Sequence, residues 1–232
     1  MSPIVFMPGF DGDASLRTDF VRALRRHHEV HAVSYPARCL GTLDGYREFA
    51  MASTPVDWRP VLIAESFSSL VAARWAAIDP RVRGVVLVGG FSSNPTGWAT
   101  RLGAVLPTVV RLGPTLWTAM TGTLGNELRK RWSRGFSGAM ARLPAEVVAE
   151  RLRLIAEEDN TRVLGSLCVP VLVVQFKGDQ VIGRDARDRL ETVCHNAQVL
   201  HLPGPHFALE VLPQECADAI GGRIREMVPS AA

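Results

Sequence analysis

Three side chains in this 232-residue chain could together move a proton and attack a carbonyl. Ser66 stands in AESFSS (64–69), where an apolar run, VLIA, gives way to residues with helical periodicity. A serine hydroxyl is a weak nucleophile unless a neighbouring base takes its proton during attack. A sharp strand-to-helix turn would lift that hydroxyl above a sheet. It would also aim the N–H of the next residue, Phe67, at the charge developing on the carbonyl oxygen. The base and its orienting acid should then follow, each in a loop after a strand. Asp179, in FKGDQVI (176–182), and His206, in LPGPHFALE (202–210), hold such places, in the order serine, acid, histidine. A second oxyanion donor is expected from the loop MPGFDGD (7–13), at the N–H of Phe10.

Each of these residues has a plainer reading. Ser66 could simply cap the helix that follows it, since serine is favoured at that position. Asp179 follows a glycine and could be a turn residue, with Asp185 as a rival acid. Of the other histidines, His27 and His28 are expected to be solvated at the end of a polar helix, and His31 and His201 to sit structurally within strands. Glu65 reads as an orienting or solvated group, and Asp11 and Asp13 as loop-capping residues. Asp179 and His206 are favoured because both follow an apolar run directly and His206 is framed by Pro203, Gly204 and Pro205.

Such an arrangement needs a parallel sheet with loops gathered at the carboxyl ends of its strands. Short apolar runs alternate with helical patterns along the chain, the signature of strand–helix–strand units. The strand candidates are 4–7, 30–35, 61–64, 85–90, 169–176 and 197–202. Their continuous apolar character suits strands buried on both faces. Helical stripes are carried by Leu16, Phe20 and Leu24, by Phe67, Leu70, Val71, Trp75 and Ile78, and by Ala217, Ile220, Ile224 and Met227, with Pro213 opening the last helix. The expected architecture is a three-layer α/β/α sandwich of about six mainly parallel strands. Residues 92–160 interrupt it with helical pieces only, so the chain divides into a core of 1–91 and 161–232 and a helical cap over 92–160. Within the cap, Trp98, Leu102, Leu116, Trp117, Met120 and Trp132 are candidates to line an acyl pocket. Arg129, Lys130, Arg131 and Arg134 form either a solvated helix face or a surface for an acidic partner.

Composition excludes several classes. A net charge of +3 is too small to argue for nucleic-acid binding. No apolar run approaches the roughly 18 residues of a membrane span, and the N-terminus lacks the pattern of a secretory leader. The four cysteines show no metal-binding or paired spacing. A cytoplasmic protein with free thiols, no bound metal and no cofactor is expected.

The chain resembles an α/β-hydrolase-fold serine hydrolase over nearly its full length. PGFDG is similar to the family's oxyanion loop, AESFSS to its GESFGG-type nucleophile elbow, KGDQVI to its acid loop and GPHF to its histidine loop. Three departures stand out. Proline precedes Gly9 where histidine is usual, Ala64 and Ser68 replace both elbow glycines, and the chain begins at the strand before the oxyanion loop. The resemblance implies hydrolysis of a small-molecule carboxylic ester or thioester of small to medium acyl length, through a Ser66–His206–Asp179 triad and an acyl-enzyme. A pimeloyl-carrier methyl ester esterase shares this plan, with its substrate presented on an acidic acyl carrier protein. A thioesterase or acyltransferase on the same triad, and a non-catalytic ligand binder, are the alternatives.

Overall fold

Strands that read as unbroken apolar runs need cover on both faces, and the structure supplies it. This computed structural model describes residues 2–95 and 137–228. In chain order the elements are β1 (Ile4–Met7), a single 3-10 turn (Ala14–Arg17), α1 (Thr18–Leu24), β2 (Val30–Ala32), α2 (Leu43–Ser53), β3 (Val61–Glu65), α3 (Ser68–Ile78), β4 (Gly84–Val88), α4 (Ala145–Glu157), α5 (Thr161–Gly165), β5 (Val171–Phe176), α6 (Arg184–Val193), β6 (Gln198–Leu202), α7 (Ala208–Val211) and α8 (Pro213–Met227). The six strands form one sheet in the order β2-β1-β3-β4-β5-β6. Every neighbouring pair is parallel.

Alternate residues of β1, β3, β4 and β5 feed two separate cores, whereas β6 at the sheet edge packs only Leu200 and Leu202, on one side. Val5, Met7, Leu62, Ala64, Val85, Leu87 and Val173 pack on the side of α2, α3, α5 and α6. Ile4, Phe6, Val61, Ile63, Val86, Val88, Leu172 and Val174 pack on the side of α1 and α8. The expected α/β/α layering is therefore present. The chain leaves β1 for β2 on one side and returns past β1 to β3 on the other, so the strand order reverses between β1 and β3. Crevices at the carboxyl ends of strands open at such a reversal, and the loops carrying Phe10 and Ser66 leave the sheet there.

Three local expectations are corrected. The second strand spans Val30–Ala32 rather than 30–35, because its partner β1 ends at Met7 and Pro8 turns the chain away. Beyond it the backbone still bonds, from Val33 N to Phe6 O and from Tyr35 N to Gly12 O (2.9 Å each). Ile78, expected on the buried face of α3, is 57% exposed as the last residue of that helix. His28, expected in solvent, is buried where α1 meets α8, near Gly221. Helix α4 falls within the interval read as a cap. Its Val147, Val148 and Leu152 pack with Phe207 and Phe10, over two of the loops discussed below. The proposed pocket residues Trp98, Leu102, Leu116, Trp117, Met120 and Trp132, and the basic Arg129, Lys130, Arg131 and Arg134, lie outside the described residues. No helix among the described residues is long and apolar enough to cross a membrane.

Candidate active site

The turn after β3 is tight. Ser66 has φ +50°, and among the described residues it is the only one other than glycine with a positive φ. A left-handed conformation at a side-chain-bearing residue costs about 1–2 kcal/mol, so surrounding contacts must hold it. Ser66 N donates to Val88 O (2.9 Å), and Ser66 O accepts from Ser69 N (2.9 Å) at the start of α3. Ala64 and Ser68, which occupy the two glycine positions, are both fully buried. The Ser66 hydroxyl does not cap α3, whose N-cap is Phe67.

Instead it meets a histidine. His206 Nε2 lies 2.9 Å from Ser66 Oγ, and His206 Nδ1 lies 2.8 Å from Asp179 Oδ2. The three side chains singled out in the sequence thus form one hydrogen-bonded row. Asp179 follows β5, and its other oxygen accepts from the backbone N–H of Val181 (2.8 Å) and Ile182 (2.9 Å). His206 follows β6 in a loop that turns through Gly204 at φ +111°. Gly89, just after β4, makes room for the ring: a Cβ there would stand 3.1 Å from His206 Nδ1 and Cε1. Asp185, the rival acid, is exposed in the first turn of α6.

Electrostatics polarises this row. Burial pushes the His206 imidazole down, but the Asp179 carboxylate and its hydrogen bond outweigh that and leave it above the ordinary 6.5. Burial pushes Asp179 up, and His206 with the two backbone amides more than offsets it, leaving the acid below 3.8. The pair is therefore arranged to favour a carboxylate beside an imidazolium.

The loop after β1 is held from several directions. Gly9 N donates to Glu65 Oε2 (3.1 Å), and Gly12 N donates to Gly9 O (3.0 Å). Phe10 O accepts from Arg151 Nη1 of α4 (2.7 Å). A Cβ on Gly12, whose φ is +73°, would collide with that guanidinium. Among the described residues, the N–H groups of Phe10 and Phe67 have no protein acceptor.

Sequence reasoning missed the buried polar frame beneath these loops. Arg17, only 4% exposed, pairs with Asp11 (2.8 Å), Glu65 (2.7 Å) and Glu210 (3.2 Å). One guanidinium thereby ties the loop after β1, the end of β3 and the helix after His206. Glu65 is accordingly buried and orienting, and Asp11 joins this network while also accepting from Asp13 N (2.9 Å). A signal existed: Arg17 falls three residues before Phe20 and seven before Leu24, in line with the apolar stripe of α1, where a charge demands a buried partner. Arg151 is a second missed cation, fully buried against the Tyr35 and Tyr46 rings (5.7 and 5.5 Å to the centroids) and bonded to Tyr46 Oη (3.1 Å).

No protein-family model matches the chain, and no curated protein matches it in sequence. Solved structures do. A hydrolase from Oleispira antarctica superposes with a TM-score of 0.80 at 13% identity, over 100% of this chain and 92% of that one. An esterase from Rhodococcus sp. ECU1013 gives 0.78 at 18% identity, over 97% and 91%. An enol-lactonase from Burkholderia xenovorans gives 0.75 at 17% identity, over 99% and 92%. At these identities the likeness is one of fold.

Proposed function

Starting from the α/β-hydrolase fold that the chain shares with those structures, we propose that it is a serine hydrolase of carboxylic esters or thioesters with small to medium acyl groups. The observation that carries this reading is the row Ser66–His206–Asp179, with its 2.9 and 2.8 Å links. His206 Nε2 accepts the Ser66 proton as Oγ bonds to the carbonyl carbon. Asp179 keeps the other ring proton on Nδ1 and stabilises the imidazolium. The carbonyl oxygen becomes an oxyanion and is held by the N–H groups of Phe10 and Phe67. Collapse of this intermediate breaks the bond to the alcohol or thiol, which leaves with the proton from His206. Water, deprotonated by the same imidazole, then attacks the acyl-enzyme and releases the acid and Ser66.

The test is turnover of p-nitrophenyl butyrate and labelling by a fluorophosphonate probe, in wild type and Ser66→Ala. Wild type should hydrolyse the ester and take up one probe on Ser66, and the variant should do neither. A folded wild type that shows neither reaction, or a variant that keeps both, removes the assignment.

A further inference from the structure

The residue two places after the elbow serine is Ser68, where the family pattern has glycine. Its hydroxyl is fully buried and lies 2.5 Å from the carbonyl oxygen of Pro8 and 2.8 Å from Tyr35 Oη. A carbonyl can only accept, so the Ser68 hydroxyl donates to Pro8. The Tyr35 phenol must then donate to Ser68. Tyr35 also grips the far end of the same loop, through its backbone N–H to Gly12 O.

What this grip holds follows from peptide geometry. The C=O and N–H of a trans peptide lie in one plane and point in opposite directions. The Pro8–Gly9 peptide is pinned at both atoms, its C=O by Ser68 and its N–H by Glu65. The next peptide has its C=O on Gly12 N, and its N–H is that of Phe10. Gly9 lies between the two planes, and glycine is the residue least able to hold a fixed angle by itself. With the first plane locked and Gly9 O held by Gly12 N, the second plane is held at both ends and its N–H has one direction.

We propose that Ser68 is a positioning residue for the oxyanion site, acting through the Pro8–Gly9 peptide to aim the N–H of Phe10. The proposal rests on the hydrolase reading above. It makes the departure from glycine part of this chain's machinery. A glycine at 68 would match the family pattern and leave the buried Pro8 carbonyl without its donor.

The experiment compares wild type, Ser68→Gly, Ser68→Ala, Ser68→Thr and Tyr35→Phe in the full chain, with p-nitrophenyl butyrate as substrate and thermal melts as the check on folding. Loss of an oxyanion donor costs about 100- to 1,000-fold in kcat, so misaiming one is expected to cost about 10- to 100-fold. Ser68→Gly and Ser68→Ala should show that loss with KM within about twofold and with the acid limb of the pH profile unmoved, because His206 and Asp179 are untouched. Ser68→Thr, which keeps the hydroxyl, should recover most of the activity. If the position-68 variants do not fold, Tyr35→Phe still tests the idea. It leaves the Ser68 donor in place without its orienting partner and should lose several-fold in kcat, at constant KM. Wild-type kcat in Ser68→Gly or Ser68→Ala, or in Tyr35→Phe where neither of those folds, overturns the proposal alone, as does a loss that appears in KM or shifts the acid limb. A wild type without turnover or probe labelling overturns the hydrolase reading and this proposal with it.

Discussion

Replacing Asp179 by asparagine separates the charge of the acid from its shape. Oδ1 of Asp179 accepts from two backbone amides, while Oδ2 faces His206 Nδ1. An asparagine there must keep its oxygen toward those amides, because an NH2 group would meet two donors. Its NH2 therefore faces His206 and donates to Nδ1. The imidazole then carries its proton on Nε2 and presents a donor to Ser66 Oγ where an acceptor is needed. In a serine–histidine–aspartate site that tautomer costs about 10,000-fold in kcat, or about 5.5 kcal/mol at about 1.36 kcal/mol per tenfold. Asp179→Ala removes the acid but leaves the ring free to adopt either tautomer, so its loss should be smaller.

The assay is initial rates on p-nitrophenyl butyrate for wild type and both variants, from about pH 5 to 9. His206 must be neutral to act as a base, and its raised value puts the acid limb of wild-type kcat/KM above pH 6.5. Without the carboxylate the largest remaining influence is burial, so the limb should move to lower pH in Asp179→Ala. Stability has its own window. The raised imidazole stabilises the fold below pH 6.5 and loses that contribution as pH rises through its folded value. The depressed acid contributes above pH 3.8 and loses its share as pH falls through its folded value. The melting difference between wild type and Asp179→Ala should therefore be largest between these values. An Asp179→Asn enzyme within tenfold of wild type, or more active than Asp179→Ala, would refute the tautomer argument.

Two further outcomes follow from strain and from buried charge. Ser66→Gly and Ser66→Ala both lose the hydroxyl, but only glycine adopts φ +50° without strain. The glycine variant should be the more stable by about 1–2 kcal/mol, about 2–4 °C in melting temperature per kcal/mol, and an alanine variant melting at or above it would contradict the strain. Arg17→Met takes the cation from buried Asp11 and Glu65, and breaking such a pair costs about 3–5 kcal/mol. Urea unfolding should show that loss, with partial recovery on adding Glu65→Gln, and a loss below about 1 kcal/mol would contradict the hub.

The sheet was legible because strands buried on both faces cannot hide their composition. Residues 4–7, 61–64 and 171–174 are apolar without interruption, and the first two runs end at Pro8 and Glu65. The triad candidates were legible because their positions depend on where strands end rather than on side-chain contacts. Helix α2 was harder to see, since its buried side is only Leu43, Tyr46 and Ala50 and a glycine lies in its first turn. Arg17, Arg151 and His28 were hidden for a common reason. A pattern of apolar and polar residues assigns a charged or ring-nitrogen side chain to solvent, and only the fold reveals partners such as Glu65, contributed from 48 positions away, or the helix that closes over an imidazole.

The elbow illustrates how a motif and a geometry can part company. Two different demands are compressed into the two flanking glycines of the pattern. One is a backbone angle that side chains resist, and here it falls on Ser66 itself and not on its neighbours. The other is clearance where strand and helix converge, and Ala64, fully buried there, brings only a methyl group. Position 68 lies at the start of α3 without a positive φ, so glycine's freedom is not needed there. A small residue that also carries a hydroxyl fits the space and adds a donor for Pro8 O. The second replacement adds a link between the turn after β3 and the loop after β1 that glycine cannot make.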